Sequence, residues 1–201
     1  ELAAMIKQAG IDFRNLPEEK ADNPLGYSTG AADIFGLTGG VMEAALRTVY
    51  FLISGRNLPF ENLRVTPISG LEKIKEATIK LENLLPEYKD LEGVELRIAV
   101  TSGLSGAKEL TEQIANKTSP YHFIEIMGCP GGCINGGGQP RSDDPDYREK
   151  RMKALYSEDE SKKLRQSHEN PSIIEFYKEW GEPCGHRSHE YLHTHYIDRS
   201  K

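Results

Sequence analysis

Apolar positions along the chain change their spacing several times, and each change predicts an element. Leu2, Met5 and Ile6 fall on one face of a short amphipathic helix that stops near Gly10. Residues 11–40 lose that period. Pro17 and Pro24 break them, and six glycines or serines lie from Gly26 to Gly40, so they read as loop. From Gly40 to about Leu52, methionine, alanine and leucine recur over a wide face, which predicts a strong helix. Gly39-Gly40 ahead of it lets the helix N-terminus approach another backbone or a ligand closely. Lys73–Leu81 alternates apolar and charged residues as a half-exposed strand does. Gly93–Val100 is a second strand, Thr101-Ser102-Gly103 its turn, and Ala107–Ala115 the helix that follows. Tyr121–Met127, aromatic and β-branched, is a third strand. Strand, helix, strand predicts a right-handed βαβ unit with parallel pairing, and open α/β sheets bind ligands at the carboxyl ends of such strands.

After Pro140 the pattern becomes charged and helical, with breaks at Asn170-Pro171 and Gly181–Gly185. Three helices, roughly 146–156, 172–180 and 187–195, are expected to wrap the sheet. The fold class is therefore α/β: a small, mostly parallel β-sheet flanked by helices, with a helical C-terminal region. One unit over 1–201 divides into a helix and glycine-rich loop (1–40), a helix plus βαβ core (41–140) and the helical region (141–201).

At 201 residues the chain can bury one substantial core. Its 25 basic and 31 acidic residues give a net charge of −6 with no basic stripe, which argues against a nucleic acid or an acidic membrane as partner. The longest apolar run, Ala44–Ser54, is interrupted by Arg47 and too short to cross a bilayer. Three cysteines, 129, 133 and 184, are too few for a disulfide framework, so a reducing, cytoplasmic setting is expected. The chain opens at Glu1 directly in a helical pattern, as a piece of a longer polypeptide would.

The densest chemistry lies at the end of the third strand, in Cys129-Pro130-Gly131-Gly132-Cys133 and on through Gly136-Gly137-Gly138. Thiolates are the side chains that hold iron–sulfur centres and other soft metals. Pro130 fixes one backbone angle after the first thiol, and Gly131-Gly132 let the chain turn without a Cβ striking a bulky group. Gly136–Gly138 are able to aim successive N–H groups at an anionic centre, and Met127 adds a soft apolar contact. Two cysteines do not complete a site that needs four ligands. The blander alternative is a surface loop with two inert thiols. The spacing is not that of a redox CxxC pair, and zinc would need two further ligands.

The run Glu125-Ile126-Met127-Gly128-Cys129-Pro130-Gly131-Gly132-Cys133-Ile134-Asn135-Gly136-Gly137-Gly138-Gln139-Pro140 resembles the third cysteine motif of the iron-only ([FeFe]) hydrogenases. Ser28–Arg47, containing Ala32-Asp33-Ile34-Phe35-Gly36, resembles that family's glycine-rich segment between its second and third motifs. His189–Tyr196 resembles its usual C-terminal helix, so the resemblance spans essentially the whole chain. Ala32–Gly36 is similar to the multi-subunit, NAD(P)-linked branch.

The resemblance implies the C-terminal portion of a catalytic domain that oxidises H2 and reduces protons reversibly at an H-cluster. That group is a [4Fe–4S] cubane bridged to a two-iron subsite carrying CO, cyanide and a dithiolate. By resemblance Cys129 binds the cubane alone and Cys133 bridges cubane and subsite. Met127 and Phe35 line the two-iron site, with Gly36 beside Phe35. The implied partners are the N-terminal part of the same domain, which holds the other two cysteine ligands, and ferredoxin or NAD(P)-linked electron-transfer subunits. The family's first and second cysteine motifs are absent from these residues, so the chain alone is expected to be inactive. Two alternatives share the cysteine loop: hydrogenase-like iron–sulfur assembly proteins without the two-iron subsite, and hydrogen-sensing relatives.

His189-Glu190-Tyr191-Leu192-His193 also satisfies the H-E-x-x-H pattern of zinc peptidases. Catalytic zinc needs a third protein ligand, and His195 and Asp198 do not have a customary spacing for it. Packing by Tyr191 and Leu192, with hydrogen-bonded histidines, is the expectation there. Adventitious nickel or zinc binding by His186, His189, His193 and His195 is also in keeping with the sequence. Cys184 is expected to be a free thiol in a turn, and His122 and His168 receive no functional role.

Overall fold

The computed structural model describes residues 1–20, 22, 27–59, 66–68, 71–181 and 185–199. Pro24, Gly26 and Cys184, which figure in the loop and free-thiol expectations, lie outside the described residues. Helix α1 (Leu2–Gln8) is followed by a very short α2 (Gly30–Asp33), a 3-10 turn at Ile34–Gly36 and the long α3 (Gly40–Ser54). Strands β1 (Thr66–Ile68), β2 (Leu71–Lys80) and β3 (Glu95–Ser102) precede α4 (Leu104–Ala115) and β4 (Phe123–Met127). Helices α5 (Tyr147–Ser161), α6 (Pro171–Trp180) and α7 (His186–Leu192) complete the chain.

The four strands lie in the order β1-β2-β3-β4. One helix covers each face of the sheet. Met42, Leu46, Tyr50 and Ile53 of α3 recur at helical spacing and pack on Ile79, Ile98 and Val100. Leu110 of α4 packs with Ile74 and Ala99 on the opposite face. That helix approaches closely, because Gly106 stands where a Cβ would lie 2.0 Å from Thr101 Oγ1. The β3–α4–β4 unit is parallel, as the order of elements predicts.

Three expectations are corrected. First, the sheet is mixed rather than mostly parallel: β1/β2 and β2/β3 are antiparallel and only β3/β4 is parallel. The cause is the connection at residues 81–94. It holds only a 3-10 turn (Pro86–Leu91), and it is tied at its base by Leu81 N–H to the Val94 carbonyl at 2.9 Å and Gly93 N–H to the Leu81 carbonyl at 2.7 Å. A parallel return needs a full crossover element there.

Second, residues 30–33 are helical. The burial of Gly30 and Ala31, whose N–H groups donate to the Leu164 and Arg165 carbonyls at 2.8 and 3.0 Å, holds a turn that local pattern does not predict. Third, α5 rests chiefly on α2 and on the turns at 34–36 and 133–135 instead of wrapping the sheet. Few of its side chains are apolar, so it docks through charge. Helix α7 ends at Leu192 rather than 195, with residues 191–199 exposed. Among the described residues no helix is long and apolar enough to cross a membrane.

Candidate metal centre

Strand β4 delivers the cysteine loop. Its last residue, Met127, is half-buried and accepts at its carbonyl from Gly103 N–H at 2.8 Å, which ties the loop's start to the first turn of α4. Gly131 N–H donates to Ser102 Oγ at 3.0 Å, a second tie to the end of β3. Within the loop, Gly132 N–H donates to the Cys129 carbonyl, and a single 3-10 turn, Cys133–Asn135, follows. Both thiols are free and exposed.

Gly132 is the loop's fixed point. Its φ of 92° is in the left-handed region, and a Cβ there would stand 2.6 Å from the Gly36 carbonyl oxygen and 2.7 Å from Thr38 N. The cysteine loop is therefore laid backbone to backbone on the Phe35–Thr38 segment. Gly36 in turn faces Ile134: a Cβ on Gly36 would lie 3.8 Å from Ile134 Cγ2. Thus the fold brings Gly36 and the Cys129–Cys133 loop into contact. Phe35, adjacent in the chain, leaves 47% of its surface exposed.

Glu125 is a positioning residue that motif reading did not single out for a role. It is buried in β4, and its two carboxylate oxygens accept from Gly39 N–H at 2.6 Å and Met42 N–H at 2.7 Å. The N-terminus of α3, expected to face a backbone or a ligand, meets the chain's own carboxylate. The visible signal was a lone acid in Phe123-Ile124-Glu125-Ile126-Met127.

The donor set suits a soft metal group. Two exposed thiols share one loop, Gly136 keeps the space beside Cys129 Sγ clear of a side chain, and positions 128 and 137 border open space. Among the described residues no three histidines, cysteines or acids gather around a common metal position. The loop thus fits as the holder of two ligands of a cluster. At the other end of the chain, His189 and His193 have ring centroids 4.6 Å apart, and Glu190 lies 4.0 Å from His186 Nδ1.

Residues 1–137 match the family described as iron-only hydrogenase large subunit, C-terminal domain. The chain belongs to that family. Residues 145–199 match a second description, iron hydrogenase small subunit. The NADP-reducing hydrogenase subunit HndD of Solidesulfovibrio fructosivorans is 48% identical over 100% of this chain and 32% of its own. Iron hydrogenase 1 of Clostridium pasteurianum is 38% identical over 98% and 33%. A variant of [FeFe]-hydrogenase HydA1 from Chlamydomonas reinhardtii superposes with a TM-score of 0.80 at 44% identity, covering 98% of this chain and 54% of that one. Protein NAR1 of Arabidopsis thaliana is more distant, at 27% identity over 98% of the chain. The chain spans about a third of the length of the two curated hydrogenases it matches.

In this chain the segments matched as large and small subunit are joined by a buried ionic cluster. Arg47 of α3 donates to both oxygens of Asp159 on α5, at 2.8 and 2.7 Å, and to Glu43 at 2.6 Å. Arg165 adds a donor to Asp159 at 2.6 Å, and Tyr156 donates to Glu43 at 2.9 Å. Burial alone would raise the Asp159 carboxyl, yet the hydrogen bonds from Arg47 and Arg165 outweigh it and hold it below its ordinary range. Burial and the nearby Glu43 charge push the Tyr156 hydroxyl upward, so it stays protonated and donates. Gly30 permits this contact, since a Cβ there would meet Asp159 Oδ1.

Proposed function

We propose that this chain forms one side of a hydrogenase active site and supplies Cys129 and Cys133 as two of the four cysteine ligands of an H-cluster. The observation that carries the proposal is the seating of the Cys129–Cys133 loop on Gly36–Thr38, inside the segment that matches the large-subunit family. The other two ligands come from residues beyond those present here. When bound, the cluster supplies reversible oxidation of H2 to protons and electrons.

The chain's own residues set the environment of that chemistry. Ser102 and Gly103 fix the entry to the loop from β3 and α4. Gly132 holds the loop against Gly36, and Phe35, one residue before Gly36, is the proposed apolar wall of the two-iron site. Met127, at the end of β4, adds a soft apolar contact on the sheet side. Ferredoxin or NAD(P)-linked subunits are the proposed electron partners, in a reducing cytoplasmic setting. Support for the NADP-linked choice is the 48% identity to HndD.

The test is infrared spectroscopy of the native, oxygen-free protein that contains this chain. Sharp bands in the metal carbonyl and cyanide region are expected. Iron and sulfide without such bands would transfer the chain to the assembly-type class and overturn the proposal. Cys133→Ser in the complete enzyme is expected to abolish H2 turnover, while Met127→Leu keeps the fold and shifts those bands.

A further inference from the structure

The glycine-rich loop that carries the two cysteines is tied by main-chain hydrogen bonds up to Gln139, and its side-chain restraints come largely from outside it. Gly131, Gly132 and Gly138 all adopt positive φ, and each free glycine adds conformational freedom. Besides Ser102 of β3, the side chains that restrain the loop from outside come from α5, in the segment matched as small subunit. Arg151 extends its guanidinium over the loop and donates to the Ile134 carbonyl at 2.6 Å and the Pro140 carbonyl at 2.5 Å. One rigid planar fork therefore brackets Gly136–Gly138 from both sides. Tyr147, one turn earlier, donates its hydroxyl to Asn135 Oδ1 at 2.5 Å. Asn135 passes the restraint on, because its amide donates to the Pro130 carbonyl at 3.0 Å. Arg148 Nε bonds the Tyr147 oxygen at 3.1 Å, and the Arg151 guanidinium lies 4.8 Å from the Tyr147 ring centroid.

Ile134, next to Cys133, has its carbonyl held directly from α5 by Arg151, and Pro130, next to Cys129, has its carbonyl held by Asn135, which Tyr147 of α5 holds in turn. Both terminal nitrogens of Arg151 are directed to the loop. A guanidinium with that arrangement fixes two carbonyls of the loop at one geometry. We propose that Arg151 and Tyr147 are positioning residues which set the separation of the Cys129 and Cys133 sulfurs, so that the small-subunit segment pre-shapes the metal-binding loop of the large-subunit segment. A lysine at 151 would keep the charge but lacks the fork to span both carbonyls.

The proposal rests on the cysteines being metal ligands, and its test needs no iron. Cadmium ion is titrated into the reduced, oxygen-free protein, and the thiolate-to-cadmium absorption band is followed, with Cys129→Ser as the control that removes the two-thiol site. Arg151→Met is expected to weaken cadmium binding at least about tenfold, as the loss of preorganisation predicts. Arg151→Lys should recover only part of that loss, and Tyr147→Phe should weaken binding with the fold unchanged by circular dichroism. Equal cadmium affinity in wild type, Arg151→Lys and Tyr147→Phe would overturn the proposal, even if Arg151→Met fails to fold. Missing carbonyl bands would sink the hydrogenase assignment and leave the cadmium result standing. Unchanged cadmium affinity would sink the brace and leave the bands.

Discussion

Gly132 and Gly36 face each other with no room for a side chain between them: a Cβ on Gly132 would stand 2.6 Å from the Gly36 carbonyl oxygen. Two loops separated by nearly a hundred residues thus meet through their main chains. Gly132→Ala must both adopt left-handed backbone, at about 1–2 kcal/mol, and displace that carbonyl, at about 1–3 kcal/mol. Gly137→Ala, which has open space, is expected to stay within about 0.5 kcal/mol. Urea unfolding of the two variants side by side checks this; equal midpoints would mean that the contact carries no weight.

Glu125 caps α3 with charge-assisted bonds to two main-chain N–H groups. Glu125→Gln keeps one acceptor and loses the charge, and is expected to cost about 0.5–2 kcal/mol. Glu125→Ala strands the buried Met42 donor and the half-buried Gly39 donor and should cost more, about 1–3 kcal/mol for the buried one alone. Thermal unfolding followed by far-ultraviolet circular dichroism would rank them, and an alanine variant as stable as wild type would contradict the capping role.

Arg47→Met leaves Asp159 with only Arg165 and removes a partner of Glu43, both of them buried. Breaking such a pair from one side costs about 3–5 kcal/mol. The double variant Arg47→Met with Asp159→Leu should recover part of that loss, since apolar replacements of both partners are better tolerated. A double variant less stable than either single one would show that the cluster is not acting as a pair.

His168 stacks on Phe51 with ring centroids 4.2 Å apart, and its Nδ1 lies 3.1 Å from Thr48 Oγ1. Burial pushes its pKa below the ordinary 6.5, with Glu169 opposing weakly. The unfolded chain therefore takes up this proton more readily than the folded one. Stability is fully present above about pH 6.5 and falls as pH drops through the folded-state value. His168→Gln should flatten the stability curve in that range, and an unaltered slope would assign the acid sensitivity elsewhere.

Local patterns made the cysteine loop, α3 and the βαβ unit legible, because each is encoded within a dozen or so neighbouring residues. The antiparallel entry of β2 was hidden, since its direction depends on the closure between Leu81, Gly93 and Val94 rather than on the strand's own alternation. Glu125 was visible as an odd residue, yet its partners lie 83 and 86 positions away. Arg151 and Tyr147 look like ordinary surface residues of a charged helix. Only the folded chain puts Ile134 and Asn135 within their reach.

The Glu125 strut also decides how the cysteine loop opens. The N–H groups of Gly39 and Met42 exchange with solvent only when that carboxylate leaves them, and the carboxylate sits two residues before Met127 and four before Cys129. The first turn of the core helix and the approach to the thiols therefore form one cooperative opening unit. Amide protons on both sides should exchange with a shared free energy well above that of a surface loop, so the cysteines are presented from the stable part of the molecule.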